Sequence, residues 1–191
     1  LFADRKVRTP FLILLTLQYY RIKAVFAAVF ATLLLGDESL SAWVVGMFGA
    51  GGMLGSVLYD RFHSRTAPST WLRLSAMGLG VFALAWLPGN LYLMMAAVGI
   101  MVCTNVFSRL ALQSSLQASL PGQGGGIIMG LNRFLIKISD AIVRGFMGLA
   151  FALSASPRGG FMAISAALIV LAVVHLVVAA GMTDGRAHAA A

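Results

Sequence analysis

The chain has 191 residues, of which 60% are hydrophobic and 10% charged, and it carries a net charge of +8 with a mean hydropathy of +0.91. Soluble domains average about 25% charged and 45–50% apolar residues, so the composition excludes an ordinary soluble enzyme or binding module and predicts a polytopic membrane protein. The high pI near 10.6 does not point to nucleic acid, because no separate soluble domain is present to carry such an interface.

The lead-in "LFADRKVRTP" runs into a long apolar stretch with no cleavage site, so it is not a signal peptide. Beginning at Leu1, it reads as the tail of a cytoplasmic loop, and the chain is expected to be a fragment without its N-terminal part. Six apolar segments follow, at approximately 10–35, 41–59, 70–88, 91–112, 126–154 and 160–182. Each is near the roughly 20 residues that cross a bilayer core. The fold class predicted is all-α, a single six-helix transmembrane bundle over residues 1–191. The breaks "GDESLS", "DRFHSRTAPS", "LPGN", "QASLPGQGGG" and "ASPRGG" are rich in turn formers or charge. Continuous apolar runs argue against the alternating segments of a membrane barrel.

Charge asymmetry predicts orientation. With both termini cytoplasmic, the inner side receives Arg5, Lys6, Arg8, Arg61, Arg65, Arg73, Arg109, Arg133 and Arg186, whereas Asp37, Glu38 and Arg158 fall outside. Basic residues flanking spans on one side orient a membrane protein and meet anionic lipid headgroups. The expected location is the bacterial inner membrane.

In the first span, Gln18, Arg21 and Lys23 are polar. A charge at bilayer depth costs at least about 2.5 kcal/mol, so it faces a partner or a wet cavity. Arg21 and Lys23 lie about 200° apart around a helix; Lys23 is free to snorkel to the interface, and Arg21, one turn from Gln18, is the cavity candidate. The second span carries Gly46, Gly49, Gly51, Gly52, Gly55 and Ser56, a composition that lets helix backbones approach closely. The third and sixth are apolar all round, as lipid-facing helices are. The exception, His175, is read as a neutral side chain bonded to a neighbouring helix and is left out of the site.

The fourth span contains Cys103, read as a small buried hydrophobe. It also holds Asn105, Arg109 and Gln113 in an i, i+4, i+8 row on one face. Asn105 is a cavity candidate, while Arg109 and Gln113 are equally well read as interfacial. In the fifth span, Arg133, Lys137, Asp140 and Arg144 sit at offsets 0, 4, 7 and 11, again one face. Asp140 is placed to pair with Arg144 or Lys137. The stripe stays net positive, which favours an anionic solute or a carboxylate partner on another helix.

Six spans with both ends inside, and polarity confined to the first, fourth and fifth, resemble one half of a transporter of the major facilitator superfamily. The segment "GSVLYDRFHSR" resembles the superfamily's loop motif at Asp60, Arg61 and Arg65, with Ser56 where a glycine is usual and without the glycine after the Asp-Arg pair. The segment "LPGQGGGIIMGLNRF" resembles the Gly-rich lead into the eleventh helix, and "LQYYRIKAVFAAVF" with "CTNVFSRLALQSSL" loosely resembles muropeptide permeases and siderophore importers. The resemblance implies the C-terminal half of a secondary transporter working by alternating access, coupled to an ion gradient, with a proton the first candidate. On that reading Gln18, Arg21, Asn105, Lys137, Asp140 and Arg144 line the solute cavity, and Asp140 is the proton-coupling candidate. Asp60, Arg61 and Arg65 form a cytoplasmic gate. The expected partners are a small solute, the lipid bilayer and the missing N-terminal half or a second copy, without nucleic acid, metal or cofactor.

Two other classes compete with a transporter. A non-transporting receptor or assembly subunit of the same fold is the alternative. An intramembrane enzyme is not expected, because the sequence offers neither paired carboxylates nor a nucleophile beside a base; His63, His175 and His188 are scattered.

Overall fold

The computed structural model describes residues 5–17, 26, 29–63, 65, 67–118 and 124–187. Among these residues every regular element is helical and none is a strand. The order is α1 (Arg5–Thr16), a π-helical turn (Ala31–Leu35), α2 (Leu40–Phe62), α3 (Pro68–Leu84), α4 (Leu91–Ala118), α5 (Gly124–Leu153) and α6 (Pro157–Ala187).

Local chemistry explains the ends. Pro10 lies inside α1 rather than at its start, a placement that membrane helices tolerate because neighbouring groups satisfy the freed backbone. The π turn closes on Gly36, whose φ of 71° is left-handed and whose N–H donates to Ala31 O, the usual glycine helix stop. In the connection that follows, Asp37 Oδ1 accepts from the Ser39 hydroxyl at 2.6 Å and the Ser39 N–H at 2.9 Å. The hydroxyl first, and then the amide, holds the Asp37 carboxyl below its ordinary range. A depressed carboxyl supports the fold at neutral pH, and that support is lost as pH falls through the folded value. α3 stops at Leu84, four residues short of the expected 88, because Pro88 disfavours helix at the residue before it. α4 continues to Ala118, past the expected 112, since no breaker occurs in "QSSLQA". Asn90 Oδ1 accepts the Leu93 N–H at 3.1 Å at the start of α4, and Pro157 occupies the first position of α6, where its missing N–H costs nothing.

α2 and α3 both pack on α4, α3 also packs on α6, α5 packs on α6, and α1 reaches α4 and α5. The α2–α4 contact is a backbone approach. A Cβ on Gly51 would lie 2.6 Å from Gly99 O, and one on Gly55 would lie 2.6 Å from Cys103 O, whereas Gly46, Gly49 and Gly52 face open space. Of the glycines that suggest a seam, the i, i+4 pair makes it.

The α3–α6 contact is aromatic and polar together. Phe161 is fully buried against Phe26, Phe30, Trp86 and Phe151. Trp86 Nε1–H donates to Ser165 Oγ at 2.7 Å, and that hydroxyl donates onward to Ala83 O at 2.6 Å, so both groups are satisfied inside the apolar contact.

Among the described residues, three helices are long and apolar enough to cross a membrane by themselves: Leu40–Phe62, Leu91–Ala118 and Pro157–Gly181. Of the other expected spans, α3 has 17 residues and α5 carries three charges within eight positions, while much of the first segment lies outside the described residues. The outer surface fits the same environment: Met53, Val57, Met77, Met162, Val170 and Val177 are each more than 60% exposed. An apolar face that extended is atypical of a protein bathed in water and marks this chain as a helical membrane protein.

Candidate functional site

α5 carries the charged stripe. Among its described residues Asn132, Val143 and Met147 are buried; Arg133, Lys137 and Arg144 lie roughly 70–110° round from the centre of that side and are exposed. Asp140 is half-buried and accepts from Arg144 Nη2 at 3.2 Å, with the Arg144 side chain 67% exposed. Fully solvated i, i+4 pairs are worth roughly 0.3–0.5 kcal/mol. At bilayer depth the larger effect is that the pair lowers the cost of inserting either charge.

Asn105 lies on α4, and the loop-motif residues lie at the end of α2 and just beyond it. Asn105 is buried, and its Nδ2–H reaches Leu17 O at 3.5 Å, at the long limit of a hydrogen bond. It thereby links α4 to the end of α1. Gln18 and Arg21 lie outside the described residues. Asp60 and Arg61 are exposed on the last turn of α2, and Arg65 is exposed just beyond it. Their segment is held by Tyr59, whose hydroxyl donates to Ser114 Oγ of α4 at 3.0 Å and whose ring stacks on His63.

No family model matches the chain, nor does any curated protein or solved structure.

A polar cleft of about 240 Å³ lies between α1, α4 and α5, lined by Leu14, Arg109, Gln113, Gln117, Asn132, Arg133 and Ile136. Arg109 and Gln113 thus belong to a concave surface, and Gln117 and Asn132 join them. Gln117 is the next step of the row Asn105, Arg109, Gln113, so extending that row by one turn finds it. Asn132 precedes Arg133 at the lower edge of the charged stripe, and only the packing of α5 on α1 shows that it faces inward. It is 8% exposed, and its Oδ1 has no hydrogen-bond partner. A buried acceptor left unmatched costs roughly 1–3 kcal/mol, so Asn132 demands an explanation.

His175 is buried, and its Nε2 meets Thr16 Oγ1 at 2.7 Å. The Thr16 hydroxyl proton is already donated to Ile13 O at 2.8 Å, so the imidazole is the donor and Nε2 carries the proton. Nδ1 is buried without a partner, a place for a lone pair rather than a second N–H. His175 is therefore a neutral tie between α6 and α1. Thr16→Val, which keeps the shape and removes the acceptor, is expected to lower stability by about 1–2 kcal/mol, read from unfolding midpoints in detergent. Adding His175→Leu should return part of that loss, because it removes the orphaned donor. An unchanged midpoint in the single variant overturns the assignment.

Proposed function

We propose that this chain is one six-helix half of a secondary transporter of the major facilitator type, carrying a small anionic solute across the bacterial inner membrane by alternating access. The observation that carries the reading is the Arg133, Lys137, Asp140, Arg144 stripe, net positive with its three cations exposed, on one flank of a 30-residue helix beside apolar, lipid-suited surfaces. Charges at that depth need a wet cavity or a second charged surface, and a six-helix half facing its counterpart supplies both. Rocking of the two halves then exposes a midplane site to each side in turn. In this reading Gln18, Arg21, Asn105, Lys137, Asp140 and Arg144 contact or orient the solute, and Asp140 takes up the coupling proton. Asp60, Arg61 and Arg65 hold the cytoplasmic gate.

The test of transport is uptake by the protein reconstituted in proteoliposomes, using a panel of radiolabelled small carboxylates and phosphate esters under an imposed proton gradient. Accumulation of one class above protein-free vesicles supports the reading. Folded protein that accumulates none of them leaves a receptor or assembly subunit of the same architecture. Topology has its own check. In a Cys103→Ala background, Arg61→Cys should react with an impermeant maleimide only from the cytoplasmic side, and Glu38→Cys only from outside. Labelling of both from one side overturns the six-span, inside-ended arrangement.

A further inference from the structure

We propose that this chain is matched to a thin bilayer and that its lipid-facing surface takes phospholipids of short acyl chain. The inference stands apart from the transport reading and rests on where three helices place their aromatic and charged limits. The rings of Trp71 and Tyr59 both meet Phe107, Trp71 by stacking and Tyr59 edge-on, so α3, α2 and α4 share one level at that end of the bundle. Asp60 and Arg61 follow Tyr59 directly and are exposed. At the other end, Trp43 of α2 and Tyr92 of α4 are 64% and 79% exposed. Between the two levels α2 rises about 24 Å, from Trp43 to Tyr59, and α4 about 23 Å, from Tyr92 to Phe107. The rise of α3 from Trp71 to its last residue, Leu84, is about 20 Å, and the exposed residues 87–90 come soon after.

Exposed Trp and Tyr settle at the headgroup level on either side of a membrane, so their spacing along a helix measures the hydrocarbon thickness that the helix suits. Here the spacing is several ångströms short of the roughly 30 Å of a typical core. The lipid-facing side of α3 has the same limit. Leu74, Met77, Val81 and Leu84 form its exposed apolar face, and Arg73 is exposed at the foot of that face. Helical side chains lean toward the N-terminus, which carries the Arg73 guanidinium toward the level of Trp71, where it meets headgroups rather than acyl chains. α6 has a longer apolar stretch, Pro157–Gly181, but a long helix fits a thin bilayer by tilting, whereas a short one cannot lengthen. The short helices therefore set the thickness. Lipids of ordinary length must thin around them at a cost that grows with each ångström of mismatch, and lipids of shorter chain meet them without that cost.

The experiment places the full chain in nanodiscs of phosphatidylcholines whose monounsaturated chains run from fourteen to twenty-two carbons, and reads the thermal unfolding midpoint in each. The midpoint should be highest at fourteen or sixteen carbons and fall by several degrees toward twenty-two. Arg73→Leu removes the charged foot of the α3 face and should narrow that difference, whereas Arg73→Lys, which keeps a charge on a flexible stem, should preserve it. The difference between lipids is the readout, so a general loss of stability in either variant does not blur the result. The proposal falls if the parent is most stable at eighteen carbons or more, if its midpoint is independent of chain length, or if Arg73→Leu leaves the difference unchanged. A further arm asks whether a second copy, rather than lipid, covers α3: Met77→Cys in a Cys103→Ala background should stay monomeric under oxidation in every lipid, and a disulfide-linked dimer overturns the assignment. Because none of these measurements needs transport, a chain that accumulates no solute and still prefers short-chain lipid leaves this inference standing, and the opposite pair of results leaves transport standing without it.

Discussion

Asp140→Asn is expected to abolish gradient-driven accumulation of solute in proteoliposomes while leaving the protein folded. The substitution removes the titratable proton site but keeps an oxygen at hydrogen-bonding distance from Arg144, whose Nη2 lies 3.2 Å from the carboxylate. The local geometry of α5 therefore survives, and a loss of activity reports the charge rather than the shape. Coupling and binding part company in a second measurement. Exchange of labelled for unlabelled solute, which needs no gradient, should persist in the variant, whereas uphill uptake should fall to the level of protein-free vesicles. Accumulation equal to that of the parent removes Asp140 from the coupling role. Among the described residues that lie within the expected spans, Asp140 is the acid available for it. Its half-buried side chain lies beside an exposed guanidinium.

The second large effect is expected at the α2–α4 seam. Gly51→Ala and Gly55→Ala each set a methyl group 2.6 Å from a backbone carbonyl oxygen, that of Gly99 and that of Cys103 respectively. A backbone oxygen cannot rotate away as a side chain does, so the helices must separate. Overpacking of this kind costs typically 1–3 kcal/mol per site, and in lipid the loss falls on the close contact that drives helix association in the first place. The two variants share one seam, so their effects need not add; separating the helices for one methyl group makes room for the other. Gly52→Ala is the control, because its Cβ meets nothing within 4 Å; it should be neutral or slightly stabilising, alanine being the better helix former. Unfolding midpoints in detergent for the three variants decide the matter. Equal stability of Gly51→Ala and Gly52→Ala overturns the close approach.

Much of the first level of organisation can be read along the chain. The π turn stops where Gly36 adopts a left-handed conformation, α3 ends ahead of Pro88, and α6 opens on Pro157. The Asp140–Arg144 pair follows from spacing alone, since residues four apart share a helix face whatever surrounds them. The face that Asn132 and Arg133 present is less legible, because neighbours on a helix point about 100° apart and one of the two must turn inward. Nothing in the apolar pattern of α5 says which.

By itself the sequence determined that the chain is helical and suited to a membrane, where its turns fall, and which charges lie in line along α5. Those properties depend on composition and on the period of a single helix, and both are local. Only the tertiary structure decided that two of the glycines in α2 carry the seam, that His175 is tied to Thr16, and that Arg109, Gln113, Gln117, Asn132 and Arg133 surround one cleft. Each of these is a relation between helices far apart in the chain. A helical period sets the direction of a side chain about its own axis, and the packing of neighbouring axes sets what that side chain meets.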